Sequence, residues 1–219
     1  MAHPHRPPGG DHYFTTDPAA PHDRRVVPLD LPDGSVRLTT DAGVFAGDRV
    51  DAGTKLLLLE GGVPDPSTTG ALLDLGCGYG AIAVTLARRA PRATVWAVDV
   101  NQRALDLCAE NAAATGAADR VRAVAPDDVP DDVVFEGIWS NPPIRIGKAA
   151  LHELLERWLP RLAPGGVAWL VVARNLGADS LAGWLTGRGH RVERTTSRAG
   201  YRVLRVDRGR DLDDLGAAT

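Results

Sequence analysis

Asp74-Leu75-Gly76-Cys77-Gly78-Tyr79-Gly80 is the stretch on which the fold turns. It follows the apolar run Ala71-Leu72-Leu73, short enough for a buried strand, and leads into 80–89, where Ile82, Val84 and Leu86 predict a helix. Glycines in a strand-to-helix turn let the backbone take positive φ and approach a ligand closely, while the new helix offers unpaired N–H groups. Asp74 adds a carboxylate expected to face the same crevice. An acid there repels a dinucleotide pyrophosphate and suits a cationic amino-acid moiety. The spacing D-x-G-x-G-x-G after an apolar strand is more specific than a lone G-x-G-x-x-G; the plain alternative is a tight turn in any α/β protein.

Outward from this turn, short apolar runs alternate with helical periods, as in a parallel sheet with crossover helices. The second strand, 94–98, ends at Asp99, about 20 residues beyond the glycines, where an acid can accept both hydroxyls of a ribose. Asp99 and the adjoining Val100 are therefore expected cofactor contacts, although an isolated Asp99 would read as a helix cap. Asn101 caps a helix carrying Leu105, Leu107 and Cys108 that ends at Gly116; strands at 120–125 and 133–140 follow. Asp127, with Asp128 as its neighbouring rival, is placed to accept from an adenine amino group, or else belongs to a solvated acidic loop with Asp131 and Asp132.

Asn141-Pro142-Pro143-Ile144 closes the strand 133–140. Consecutive prolines fix φ and push the preceding residue toward extended geometry, so the Asn141 amide and the Pro142 carbonyl project rigidly as two acceptors. Two acceptors suit an exocyclic amine, held by its N–H groups with the lone pair turned toward an electrophile. Asn141, Pro142 and Pro143 are thus the expected catalytic loop, with Asn141 counted among the cofactor contacts as well. Arg145 and Lys148 flank it, either gripping phosphate beside an extruded nucleotide or acting as solvated charge at a helix start.

The remaining pattern predicts a helix over 148–162 stopped by Gly165-Gly166, an apolar strand at 167–172, a helix capped by Asp179 or Ser180, and a closing hairpin of 190–196 with 201–206. Ahead of the glycine turn, Val36-Arg37-Leu38-Thr39-Thr40 and Gly43-Val44-Phe45 read as a hairpin around Asp41-Ala42. A helix capped by Asp51 or Thr54 follows, stopped by Gly61-Gly62. The expected fold is α/β, a Rossmann-like three-layer sandwich. Its sheet has seven mostly parallel strands, the last antiparallel, and it carries an N-terminal hairpin and helix. The expected division is a flexible arm over 1–35, a single domain over 36–210 with the extension at 36–62, and an acidic tail at 211–219.

Composition agrees. At 219 residues, 44% hydrophobic and 24% charged, the chain has the length and balance of a globular α/β domain. No run approaches the ~20 apolar residues of a membrane span. Met1-Ala2-His3-Pro4-His5-Arg6 has no signal-peptide core, which places the expected location in the cytoplasm. Cys77 and Cys108 fall inside ordered elements, so no disulfide framework is expected. His3, His5, His12 and His22 are irregularly spaced without accompanying cysteines, so no metal is assigned. A net charge of −3 excludes coating nucleic acid by bulk charge alone, although the eight arginines between Leu185 and Arg210, against Glu193 and Asp207, make that stretch locally basic. Arg202 and Arg205 should lie on opposite faces of one strand and do not make a patch unaided.

Together, Asp74 to Gly80, Asp99 and Asn141-Pro142-Pro143-Ile144 resemble the class I S-adenosylmethionine-dependent methyltransferases. The blocks His12-Tyr13-Phe14, Gly43-Val44-Phe45 and Val50-Asp51-Ala52-Gly53-Thr54 narrow the resemblance to the small-domain enzymes related to the bacterial ribosomal RNA guanine-N2 methyltransferases. Arg145-Ile146-Gly147-Lys148 and Gly200-Tyr201-Arg202-Val203-Leu204 are similar to archaeal single-domain members. The resemblance covers about 12–206 and implies S-adenosylmethionine as cofactor. It places Gly76, Cys77, Gly78 and Gly80 at the amino-acid end of that cofactor, Asp74 on its ammonium, Asp99 on the ribose and Asp127 on the adenine. Asn141 and Pro142 would hold the target amine. Phe45 would close over the pocket, stack on a base, or serve the core. Ile144, where adenine- and glutamine-directed enzymes often carry an aromatic, favours guanine N2. The implied partner is ribosomal RNA, and the implied state a monomer or weak dimer. Competing readings are protein glutamine-N5 or adenine-N6 methylation, a non-catalytic S-adenosylmethionine or RNA binder and, as an outsider, an NAD-dependent dehydrogenase.

Overall fold

Arg25–Leu31 (β1) and Gly34–Thr40 (β2) pair antiparallel, Arg25 opposite Thr40 and Leu31 opposite Gly34. This corrects the expected hairpin of 36–40 with 43–45: residues 42–46 form turns, and 25–31 belongs to the fold rather than to a flexible arm. The cause is period-2 burial, with Val27, Leu29 and Leu31 inward and Pro28 and Asp30 outward. Pro32-Asp33 makes the turn, and Gly34 sits at φ +130°, which favours glycine. The structure is a computed structural model and describes residues 20–46, 48–142 and 147–208. The block His12-Tyr13-Phe14, the residues Pro143, Ile144 and Arg145, and the acidic tail lie outside the described residues.

Ala52–Glu60 (α1) follows, capped by Asp51, whose carboxylate accepts from the Gly53 and Thr54 backbone N–H groups; Thr54 is not the cap. Next come Ala71–Leu75 (β3), Ala81–Arg89 (α2), Thr94–Val98 (β4), Gln102–Ala114 (α3), Val121–Val124 (β5) and Phe135–Ser140 (β6). Then Lys148–Trp158 (α4), Leu162–Ala173 (β7), Ala178–Gly187 (α5), Arg191–Arg198 (β8) and Tyr201–Asp207 (β9) complete the chain as described. The strands β3 to β9 form one sheet in the order β5-β4-β3-β6-β7-β9-β8, parallel throughout except for β9, which runs antiparallel to both neighbours. This is the seven-stranded Rossmann-like sheet with an antiparallel last strand that the sequence predicts.

Three boundaries differ from the expected ones. Helix α4 stops at Trp158, and a 3₁₀ turn over Leu159–Arg161 follows, because Pro160 has no N–H to give. Gly165-Gly166 does not end that helix but lies within β7, which begins at Leu162. Helix α5 is capped by neither Asp179 nor Ser180; Gly177 at φ +99° precedes it, and Asp179 instead pairs with Arg194 and Arg202.

Each central strand is buried on both faces. Leu72 shares one core with residues of the hairpin, α1, α2 and α3, while Leu73 and Leu75 share the other with Leu151 and Leu155 of α4 and Leu181 and Leu185 of α5. Two apolar layers thus sandwich the sheet, at about 25 cal/mol per Å² of apolar area removed from water. Gly80 shows how close the approach is: at φ +88°, a Cβ there would stand 2.6 Å from Cys108 Sγ and 3.2 Å from the Cys108 Cα. Gly80→Ala is expected to cost about 3 kcal/mol, from left-handed strain plus overpacking against α3. Urea unfolding measures it, and a loss under 1 kcal/mol contradicts the contact.

Candidate active site

The glycine turn is held by its neighbours as well as by its sequence. Gly76 and Cys77 donate their backbone N–H groups to the Val98 carbonyl at 2.8 and 3.0 Å, and Gly80 donates to Cys77 at 2.9 Å. Gly76 and Gly78 take φ of +77° and +53°. Asp99 completes the turn: Oδ2 accepts from the Gly78 N–H at 2.9 Å and Oδ1 from the Asn101 N–H at 3.0 Å. Burial pushes the Asp99 carboxyl up from its ordinary pKa, opposed by those backbone donors.

Strands β3 and β6 are adjacent in the sheet, and the Ser140 hydroxyl donates to the Leu75 carbonyl at 2.6 Å, tying their carboxyl ends together. The glycine turn after β3 and the Asn141-Pro142 turn after β6 therefore open into one cleft of about 240 Å³. Gly76, Gly78, Asp99, Val100, Asn141 and Pro142 all line it, at the strand ends where open α/β sheets bind ligands. Phe45 lines it too, at 37% exposure, which places this ring at the cleft and not in the core.

Asp74 and Asp127 do not reach the cleft wall. Asp74 is fully buried behind the turn, where its Oδ2 accepts from the Ala83 N–H of α2 at 2.8 Å, so it braces the start of that helix. Burial, with Asp99 nearby, pushes its pKa up to about 8, and its Oδ1 has no hydrogen-bond partner among the described residues. Asp127 points to solvent and pairs with Arg157 at 2.9 Å; Pro126 lines the cleft in its place. Asp128 is likewise absent from the cleft lining among the described residues, and Lys148 is an exposed residue at the start of α4. Cys77 and Gly80 stand behind the main cleft, Cys77 facing a smaller cavity beside Asn141.

The burial of Asp74 has a measurable consequence. Its folded-state pKa exceeds the ordinary value of 3.8, so it contributes stability that is fully present below that value and lost as the pH rises toward 8. Asp74→Asn is expected to flatten the fall in stability between pH 5 and pH 8, read from urea midpoints at both; an unchanged slope would contradict the assigned burial.

Several cleft residues carry no motif of their own. The amide nitrogen of Asn141 donates to Asp51 Oδ2 at 2.8 Å and to Thr54 Oγ1 at 3.0 Å, which leaves Oδ1 without a partner among the described residues. Tyr201, on β9, lines the cleft and donates to Asp51 Oδ1 at 3.4 Å. Asn101 caps α3 through Ala104 and donates to the Gly43 carbonyl at 2.9 Å, and Arg103 donates to the Ala42 carbonyl at 2.7 Å. These two residues hold the loop carrying Val44 and Phe45 at the mouth. Sequence reasoning found Asp51 and Asn101 only as helix caps; the signal for Asp51 lay in Val50-Asp51-Ala52-Gly53-Thr54. A Cβ on Gly53 would stand 2.7 Å from the Tyr201 ring, so the bare glycine marks where that ring lands.

Among the described residues lining the cleft there is no Lys, Arg or His, and its charged groups are Asp51 and Asp99. The basic C-terminal stretch is largely occupied elsewhere: Arg194 and Arg202 by Asp179, Arg205 by Asp207, Arg188 by Glu156. The acidic charge of the cleft disfavours phosphate and favours a cation, and Val98, Val100 and Leu154 add apolar lining.

Comparison with known proteins agrees with this geometry. The model of the methyltransferase small domain matches residues 35–205. The chain belongs to this family. The methyltransferase is 31% identical over 199 residues to YbxB of Bacillus subtilis (strain 168), an uncharacterized protein, covering 90% of this chain and 98% of that one. It is 33% identical over 154 residues to ribosomal RNA small subunit methyltransferase C of Shewanella oneidensis, covering 68% of this chain and 43% of the relative. A solved structure of the T. thermophilus 16S rRNA N2 G1207 methyltransferase, in complex with AdoMet and guanosine, aligns with a TM-score of 0.71 at 25% identity, over 87% of this chain and 52% of that one. The methyltransferase thus spans YbxB nearly whole, but only about half the length of these ribosomal RNA enzymes. No described helix is long and apolar enough to cross a membrane, and no group of three or more His, Cys, Asp or Glu residues able to hold a metal occurs among the described residues.

Proposed function

We propose that this methyltransferase uses S-adenosylmethionine to methylate an exocyclic amine, and that the amine is N2 of a guanine in ribosomal RNA. The observation that carries the reading is the shared cleft: the glycine turn with Asp99 and the Asn141-Pro142 turn face one space of about 240 Å³. S-adenosylmethionine supplies an electrophilic methyl group on a cationic sulfur.

The residues present fit it. Asp99 offers a carboxylate to a ribose, and Val98, Val100 and Leu154 offer apolar surface to an adenine. Asp51 and Asp99 favour a positive ligand, whereas a dinucleotide phosphate would meet no cation among the described lining residues. Opposite, Asn141 Oδ1 and the Pro142 carbonyl accept the two N–H bonds of an amino group. The Asn141 amide is fixed by its bonds to Asp51 and Thr54, so orientation supplies the main catalytic contribution and no strong base is needed. An amine held by these two acceptors would keep its lone pair free for the methyl group that S-adenosylmethionine would supply, and would release its proton to water once alkylated. Phe45 at the mouth provides an aromatic face for a base, and Arg145 and Lys148 lie in sequence where they can meet flanking phosphate. The ribosomal RNA relatives and the guanosine-bound neighbour support RNA over protein as substrate.

The test is transfer of tritiated methyl to total RNA from a strain lacking the gene, followed by nucleoside mass spectrometry. N2-methylguanosine at a ribosomal RNA position is the expected product. Label in the protein fraction, on adenine, or nowhere would overturn the reading.

A further inference from the structure

Asn141 does not set its own orientation. A terminal amide rotates easily, and an acceptor site for an amine needs the oxygen, not the nitrogen, turned to the substrate. Here the nitrogen is committed twice, to Asp51 Oδ2 at 2.8 Å and Thr54 Oγ1 at 3.0 Å. The same Asp51 oxygen accepts from Gly53 N at 2.7 Å and Thr54 N at 3.1 Å, so the carboxylate is fixed by the first turn of α1. Its other oxygen accepts from the Tyr201 hydroxyl at 3.4 Å, reaching across from β9. The bare Cα of Gly53 admits that ring: any Cβ would fall 2.7 Å from Tyr201 and 2.8 Å from Asp51 Oδ2.

We propose that Asp51, steadied by Tyr201, is the positioning residue that turns the Asn141 carboxamide so that its oxygen meets the substrate amine. Asp51 thereby makes the site selective for an N–H donor over a carbonyl or ether acceptor. A carboxylate suits the task, because it only accepts and cannot bind the amide the wrong way round. Its charge also strengthens the bond to the amide N–H beyond what a neutral partner gives. The proposal rests on the amine-methylating role given to Asn141 above.

The experiment separates grip, cap and charge. Asp51→Ser keeps a good helix cap but is too short to reach Asn141. Asp51→Asn keeps the cap and offers one oxygen to the Asn141 amide while removing the charge. With ribosomal RNA as substrate, Asp51→Ser is expected to lower kcat by roughly 10-fold or more. KM for RNA and the melting temperature should stay near those of the natural protein, and affinity for S-adenosylhomocysteine, which lacks the sulfonium charge that Asp51 favours, should change by no more than a few-fold. Asp51→Asn should recover most of the loss. In the pair Asp51→Ser with Asn141→Ala, the double variant should be no slower than Asn141→Ala alone, since Asp51 acts through that residue. Full activity in Asp51→Ser, multiplying losses in the double variant, or a loss tracked equally by melting temperature and ligand affinity each overturns the proposal. If Asn141→Ala itself is fully active, the amine-binding role fails first, and that result is distinct from the others.

Discussion

Asn141→Ala is expected to lower turnover by roughly 10²-fold or more while leaving S-adenosylmethionine affinity within a few-fold. The amide contributes geometry and not acid–base chemistry, so its removal should act on kcat and spare cofactor binding. The asymmetry follows from placement: Asn141 stands on the β6 tip, while Gly76, Gly78 and Asp99 come from β3 and β4, and the Ser140–Leu75 bond keeps the two tips together without the Asn141 side chain. Single-turnover kinetics with labelled donor, alongside calorimetry, checks both halves. An Asn141→Ala protein with unchanged kcat removes the assigned role; one that no longer binds S-adenosylmethionine shows that the carboxamide belongs to the cofactor site instead.

The second large effect is expected at Asp99. Asp99→Ala should weaken S-adenosylmethionine binding by at least about 10²-fold, because each hydrogen bond to a charged group is worth about 1.5–3 kcal/mol and a ribose presents two hydroxyls. Loss of the carboxylate also strips the acceptor from the Gly78 and Asn101 N–H groups, at 2.9 and 3.0 Å, loosening the turn the cofactor rests on. Calorimetry with S-adenosylhomocysteine reads the affinity directly. An affinity within threefold of the natural protein would show that the ribose is held elsewhere. Because burial already raises the pKa of Asp99, affinity should also weaken as the pH falls through that raised value and the carboxyl takes up a proton.

The centre of the sheet could be read from sequence because strands such as β3 and β7 are buried on both sides and announce themselves as apolar runs beside glycine turns. The chemical tips could be read because glycine and proline constrain backbone in ways few other residues do. What escaped was whatever depends on distant partners. Asp74 looks like a ligand contact from its motif, yet the turn folds over it and directs its oxygen to Ala83. Asp127 looks available for adenine, but Arg157 on α4 draws it outward. Asp51 reads as a cap because that function is local; its bond to Asn141 crosses 90 residues of sequence. The hairpin was displaced because Pro28 and Asp30 obscured an alternation whose inward members, Val27, Leu29 and Leu31, reveal themselves only once a core exists to receive them.

Helix α3 joins that hairpin to the chemistry. Asn111, fully buried, exchanges bonds with Thr39 as a strand neighbour would, accepting from its N–H at 2.7 Å and donating to its carbonyl at 2.8 Å, and also donates to the Tyr79 carbonyl of the glycine turn at 2.8 Å. The side chain works as a gauge block between a strand and a turn that never pair. A slip of β2 by a single residue would break this match, turn its inward residues Leu38 and Thr40 outward, and carry Phe45 away from the entrance. Insertions or deletions between 25 and 40 should therefore be tolerated poorly even though no atom of that segment lines the cleft, and the ribbon is best regarded as the frame of the doorway rather than as an ornament beside it.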